Sequence, residues 1–150
     1  MTDDELATFK HEMFCLAMQR MMDCATWGRK LAGNCLPACL CILPEIKSQF
    51  PAATIVIGDI DKCGNNQPNL LDFQHFLKGE IDRQPSFHAW IDLGNGDLFD
   101  PVGTSWLNEG GTYLDASLAK KQGIHYYKCL TQAVDVSMFY QRLLYSRRGA

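Results

Sequence analysis

The sequence lacks several things, and each absence narrows what the chain can be. No apolar run approaches the ~20 residues that cross a bilayer, so a soluble protein without a membrane span is expected. There is no basic excess: 14 Lys and Arg stand against 17 Asp and Glu, a net charge of -3. That balance offers no electrostatic footprint for DNA or RNA. Charge is sparse at 21% while hydrophobic residues reach 47%, which argues against disorder, collagen and coiled coil. Internal repeats, low-complexity tracts and linkers are all missing. No leader-like apolar stretch follows the acidic Met1-Thr2-Asp3-Asp4-Glu5. A cytoplasmic, reducing setting with free thiols is therefore the expectation, and it is compatible with specialised secretion into a host cell. Seven cysteines cannot all pair within a monomer.

What is present is 150 residues, the size of one domain. A chain of that length buries roughly 70% of its extended surface on folding, so its core needs no disulfide or metal to hold it. Residues 3 to about 27 read as a helix, with Leu6, Phe9, Met13, Phe14, Ala17, Met18, Met21 and Met22 at three- and four-residue steps. Thr2 or Asp3 caps it and Gly28 ends it. Gly33-Asn34-Cys35 opens a second helix, with Asn34 as N-cap and Pro37 inside the first turn. Pro44 is expected to stop or kink that helix before Pro51 ends it.

Ala53 to Ile60 is an apolar strand suited to the middle of a sheet. Residues 64–69 read as a loop, and Leu70 to Glu80 as a short helix capped by Asn69. Phe87–Leu93 and Leu98–Val102 are strands around Gly94-Asn95-Gly96, a strong hairpin signal. Gly103 to Ala119 is loop-like, with a short helix expected at Ser117 to Lys121. Ile124 to Leu130 is a fourth strand, and Asp135 to Arg147 a closing helix capped by Asp135 or Ser137. Helices, then antiparallel strands, then a helix make an α+β fold in a single domain over 1–150.

Three short stretches can carry chemistry: Gly33-Asn34-Cys35, Phe87-His88-Ala89-Trp90-Ile91 and Leu98-Phe99-Asp100-Pro101. A helix N-terminus presents orphan N–H groups and the positive end of the dipole, which favour a thiolate. The same groups can hold the oxyanion of an acyl-transfer intermediate. A thiolate nucleophile needs an acid for the leaving amine, usually histidine. That histidine needs a carboxylate or amide to fix its tautomer. Cys35, His88 and Asp100 supply these groups in that order.

His88-Ala89-Trp90-Ile91, a turn, then Asp100-Pro101 resembles the histidine–aspartate hairpin of the transglutaminase-like group of papain-like cysteine enzymes. Gly33-Asn34-Cys35 before a helix, then Ile55-Val56-Ile57-Gly58, is similar to that group's nucleophile helix and first core strand. The likeness covers roughly residues 28 to 103. It implies N-terminal helices carrying Cys35, packed on an antiparallel sheet carrying His88 and Asp100. It also implies a protein or peptide substrate, with deamidation, cross-linking or hydrolysis of an amide and no cofactor. The glutamine that often donates to the oxyanion in papain-like enzymes is missing before Cys35. The Asn34 side chain and Trp27 are candidates in its place, and Trp90 is a candidate wall of the cleft. Pro37 and Pro44 interrupt the nucleophile helix more than the group's pattern does.

The hairpin register can be derived on paper. With a three-residue loop at Gly94-Asn95-Gly96 and Gly96 left-handed, Leu93 faces Asp97, Ile91 faces Phe99, Trp90 faces Asp100 and His88 faces Val102. His88, Trp90 and Asp100 then share one side, and Phe87, Ala89, Ile91 and Phe99 the other. His88 and Asp100 become diagonal neighbours at about 7 Å, a gap that side chains bridge. A two-residue loop would set Asp100 against Ile91 and bury a carboxylate on the apolar side.

Plainer readings compete with these. Cys35 can be a small buried residue, and Cys39, one turn on and on the same face, is an alternative nucleophile whose N–H is already used within the helix. His88 can be a satisfied core histidine, and Asp100 before Pro101 a turn starter. A zinc site from Cys35, Cys39, Cys41 and Cys63 has the wrong spacing for a paired knuckle, so no metal is expected. Asp92 and Asp97 read as solvated, and His11, His75 and His125 have no nameable partners. The reading is a cysteine-dependent acyl transferase or hydrolase. Its alternative is a catalytically silent protein-binding module on the same fold.

Overall fold

In the computed structural model the described residues are 1–30, 33–61, 70–102 and 123–148. Their order is α1 (Asp3–Met22), a 3-10 turn (Ala25–Trp27), α2 (Cys35–Lys47), β1 (Thr54–Asp61), α3 (Leu70–Leu77), β2 (His88–Asp92), β3 (Leu98–Phe99), β4 (His125–Leu130) and α4 (Ala133–Arg148). The fold is α+β, its four strands forming one sheet in the order β3-β2-β1-β4, with every neighbour antiparallel. The expected loop at 64–69, its cap Asn69, the stretch Gly103–Ala119, the helix at Ser117–Lys121 and Cys63 lie outside the described residues.

Strand alternation places Ile55, Ile57, Ala89, Ile91 and Phe99 in the main core, with Ala17 and Met21 of α1, Leu36 and Ile42 of α2, and Phe139 of α4. The intervening residues Val56, Trp90 and Leu98 build a second, smaller cluster with Tyr126. The hairpin register matches the one derived from the loop: Ile91 pairs with Phe99 and Asp92 with Leu98. Leu93 N–H donates to the Asp97 carbonyl at 3.0 Å. Gly96 has φ 89°, and Gly94 is also left-handed at φ 86°, where a Cβ would in addition come within 2.9 Å of Ala52.

Several boundaries move. Thr2 caps α1 in a full capping box with Glu5, but the helix ends at Met22 rather than near residue 27. The chain leaves the helix at Cys24 so that Trp27 can be buried, its ring 5.9 Å from that of Tyr140 on α4. Pro44 does not stop α2, which runs on to Lys47. Arg20 spans the proline, donating to the Cys41 carbonyl at 2.8 Å and to the Glu45 carboxylate at 2.7 Å. That fork supports the stretch where proline breaks the backbone ladder. β3 is only two residues long because Asp100 turns the chain, its Oδ1 accepting from Val102 N–H at 3.2 Å next to Pro101, which has no N–H to give. α4 starts at Ala133, ahead of both expected caps.

Asp92 and Asp97 are not simply solvated. Asp97 accepts from Lys10 Nζ at 2.8 Å, and the lysine side chain is only 2% exposed. Asp92 pairs with Lys128 at 2.9 Å and accepts from Gly94 N–H. α1 is thereby tied to the loop of the hairpin, whose strands carry the candidate site.

Candidate active site

Cys35 is the first residue of α2, His88 the first of β2, and Asp100 follows β3 directly. Each is placed by local structure. α2 starts where Asn34 ends a turn, the first helical bond running from Ala38 N–H to the Asn34 carbonyl at 3.0 Å. The N–H groups of Cys35 and Leu36 precede that ladder, and Pro37 has none. β2 lays His88 opposite Gly58 of β1. The three-residue loop brings Asp100 back beside it.

His88 Nε2 and Asp100 Oδ2 are 2.6 Å apart in a buried bond. The carboxylate also accepts from the Tyr126 hydroxyl at 2.9 Å. Nε2 faces Asp100, and the Cys35 thiol lies near enough to the imidazole to favour its charged form. Burial by itself opposes a charge on His88. The Asp100 carboxylate and its hydrogen bond, with a smaller pull from Cys35, outweigh burial and push the His88 pKa up to about 10. The imidazole is thus an imidazolium across the neutral range.

Cys39 is buried a turn further on. Burial pushes its thiol well up, and Asp100, Cys35 and Cys41 add to the effect. A thiol held protonated is a poor nucleophile, which counts against Cys39. Cys41 is raised by burial as well.

The oxyanion candidates separate. Asn34 sits at the N-cap position, but its side chain makes no cap bond. Its amide nitrogen donates to the Trp27 carbonyl at 2.7 Å and the Lys30 carbonyl at 2.9 Å. Both amide hydrogens are spent on holding the preceding turn, so Asn34 is not an oxyanion donor. Trp27 packs its ring on Tyr140 in the core. Trp90 lies beside the chemistry: its ring stacks on His88 at 6.1 Å and 22° and meets Tyr126 edge-on at 5.0 Å. It fixes the imidazole plane.

Gly58 makes room for this arrangement. A Cβ there would come within 1.8 Å of the Tyr127 carbonyl and 3.0 Å of Trp90 Cη2. The ladder between β1 and β4 shifts register at this point, and a glycine inside a strand often marks such a close approach. Of the other histidines, His75 pairs with Glu80, His125 stacks on Tyr127 and His11 lies 3.8 Å from Cys15 Sγ. Among the described residues no three His, Cys, Asp or Glu side chains converge as a metal site would require, and no helix is long and apolar enough to cross a membrane.

Sequence reasoning missed two residues. Lys10 stands at a four-residue step between Leu6 and Phe14, inside the apolar stripe of α1. A charge there signals a buried partner. Tyr126 carried no such mark, because tyrosine is common in strands and its partner lies on a strand not next to its own. Comparison with protein-family models, curated proteins and solved structures finds no match for this chain.

Proposed function

We propose that the chain is a cysteine-dependent acyl transferase or hydrolase of papain-like, transglutaminase-like fold, acting on an amide of a protein or peptide. One observation carries the reading: a buried imidazole bonded to a carboxylate at 2.6 Å, with a thiol at a helix start near enough to favour its charged form. Cys35 Sγ, as the thiolate, attacks the amide carbon and the carbonyl oxygen becomes an oxyanion. N–H groups of the first turn of α2 receive that oxyanion. The C–N bond breaks as His88 passes its Nδ1 proton to the departing nitrogen, leaving a thioester on Cys35. Asp100 keeps the ring in the tautomer and orientation this requires. Water or an amine then attacks the thioester, giving up its proton to His88, and the thiolate leaves. A glutamine side chain and a peptide bond are both amides that fit this chemistry, and no cofactor takes part in these steps.

The exposures of Cys35 and His88, 7% and 8%, favour a second reading, a silent binding module that keeps the triad as a packed core. Mild alkylation resolved by mass spectrometry separates the two. The enzyme reading expects one thiol to label far faster than the rest and that label to vanish in Cys35→Ala. Ammonia release from glutamine-containing proteins, amine incorporation and peptide cleavage then assign the reaction. A native protein with no uniquely fast thiol sinks the catalytic reading.

A further inference from the structure

From described residues Asp100 accepts hydrogen bonds on both carboxylate oxygens. Val102 N–H uses Oδ1, while His88 Nε2–H and the Tyr126 hydroxyl share Oδ2 at 2.6 and 2.9 Å. Tyr126 comes from β4, which is not a hydrogen-bonded neighbour of β2. It pairs with Ile60 of β1 and reaches across that central strand. The reach depends on Gly58, where the missing side chain leaves Trp90 room to pack against both the His88 and Tyr126 rings. We propose that Tyr126 is a positioning residue that sets how tightly Asp100 holds His88, by competing with the imidazole for one carboxylate oxygen.

The physical argument concerns where the carboxylate charge is spent. Each donor on an ionised carboxylate draws charge towards itself, and such bonds are stronger than neutral ones. A second donor on Oδ2 leaves less of that oxygen's charge for the imidazolium. Cys35 and Cys39 of α2 also face this pair, Cys35 pulling on the imidazole and Cys39 lying within the field of the carboxylate. The phenol thus weakens the hold on His88 through the shared oxygen. That matters for an acid which must surrender its proton near neutrality, because a proton held too tightly transfers slowly. The catalytic consequence rests on the function proposed above; the hydrogen-bond competition does not.

The test is Tyr126→Phe, which keeps the ring against Trp90 and removes only the hydroxyl. The readout is the NMR resonance of the His88 ring proton bonded to Asp100, assigned by its absence in His88→Gln. It should move downfield as the remaining bond tightens, and the His88 titration midpoint should rise by about one pH unit. Tyr126→3-fluorotyrosine, a stronger donor that disturbs packing little, should move the resonance upfield. On substrate, amide turnover should fall about tenfold in Tyr126→Phe while ester turnover holds, since an alcohol leaves with less help from an acid. An unmoved resonance in both variants overturns the proposal. An upfield shift or loss of the resonance in Tyr126→Phe overturns it too, showing that the hydroxyl only keeps Asp100 in place. A downfield shift in a protein with no fast thiol upholds the competition and rejects the enzyme reading instead.

Discussion

Asp100→Asn is the sharpest perturbation of the site, because its two expected effects have one cause. The native imidazole is raised to about 10 against the pull of burial, and Asp100 is the main source of that rise. Without the negative charge, burial dominates and the His88 midpoint should drop below its ordinary 6.5. The stability consequence has a definite sign. A histidine whose folded pKa is raised contributes stability that is fully present below about 6.5 and is lost as pH climbs towards about 10. At roughly 1.4 kcal/mol per pH unit, that gap corresponds to about 5 kcal/mol at pH 6. Removing one partner of a buried ion pair costs a similar amount, roughly 3–5 kcal/mol, and the two side chains here are only 10% and 1% exposed. Denaturant unfolding under reducing conditions at pH 6 and pH 10, followed by tryptophan fluorescence, measures it. Asp100→Asn should lose several kcal/mol at pH 6 and much less at pH 10, where the native imidazolium is itself at its midpoint and most of its stabilisation is gone. A loss below about 1 kcal/mol at pH 6, or a His88 NMR midpoint that stays above 9 in the variant, would refute the argument that the carboxylate holds the imidazolium.

Other perturbations test separate parts of the frame. Cys35→Ala should abolish amide turnover while costing little stability, about 1 kcal/mol, since a thiol at a helix start fills little volume; thermal melting and a substrate assay check both halves. Gly58→Ala should cost more than about 3 kcal/mol, because the added methyl would sit 1.8 Å from a backbone carbonyl of β4; normal melting with intact exchange protection along β4 would contradict it. Lys10→Met should cost roughly 1–3 kcal/mol and speed amide exchange at Leu93, as the hairpin loop loses its tie to α1; unchanged exchange there would show that Asp97 is not an anchor. The fold should persist in mild reductant, since the six described cysteines are free; circular dichroism with and without dithiothreitol decides this.

What could be read from the sequence was what period and turn chemistry dictate. The glycine-bounded loop and the alternation of Ala89, Ile91 and Phe99 fixed the hairpin register, and with it the approach of His88 to Asp100, because only one loop length keeps the carboxylate off the apolar side. The start of α2 at Cys35 followed from the short polar residue before it, although Asn34 turned out to spend its amide on the preceding turn rather than on the helix. The misses share a physical character. α1 stops at Met22 for the sake of Trp27, and of the two courses open at Pro44 α2 takes the continuation to Lys47, with Arg20 in support. In each case a side chain far along the sequence overrides a local preference.

Tyr126 belongs to that class, and it shows why a site is harder to read than a fold. The fold's rules act between neighbours: residues three or four apart on a helix, two apart on a strand, or opposite across a short loop. Asp100 and Tyr126 are 26 positions apart and on strands separated by two others. No local rule links them. They meet because the central strand has a glycine where their aromatic bridge crosses it, and because the ladder shifts register at that glycine. The strand Ile55-Val56-Ile57-Gly58 contains a residue type that weakens a tightly packed central strand. Glycine at that place is a sequence-level sign that something must pass over the strand, and the ring that passes is Trp90, stacked on His88. The legible clue to the fourth member of the site was thus not the tyrosine but the gap left for its neighbour.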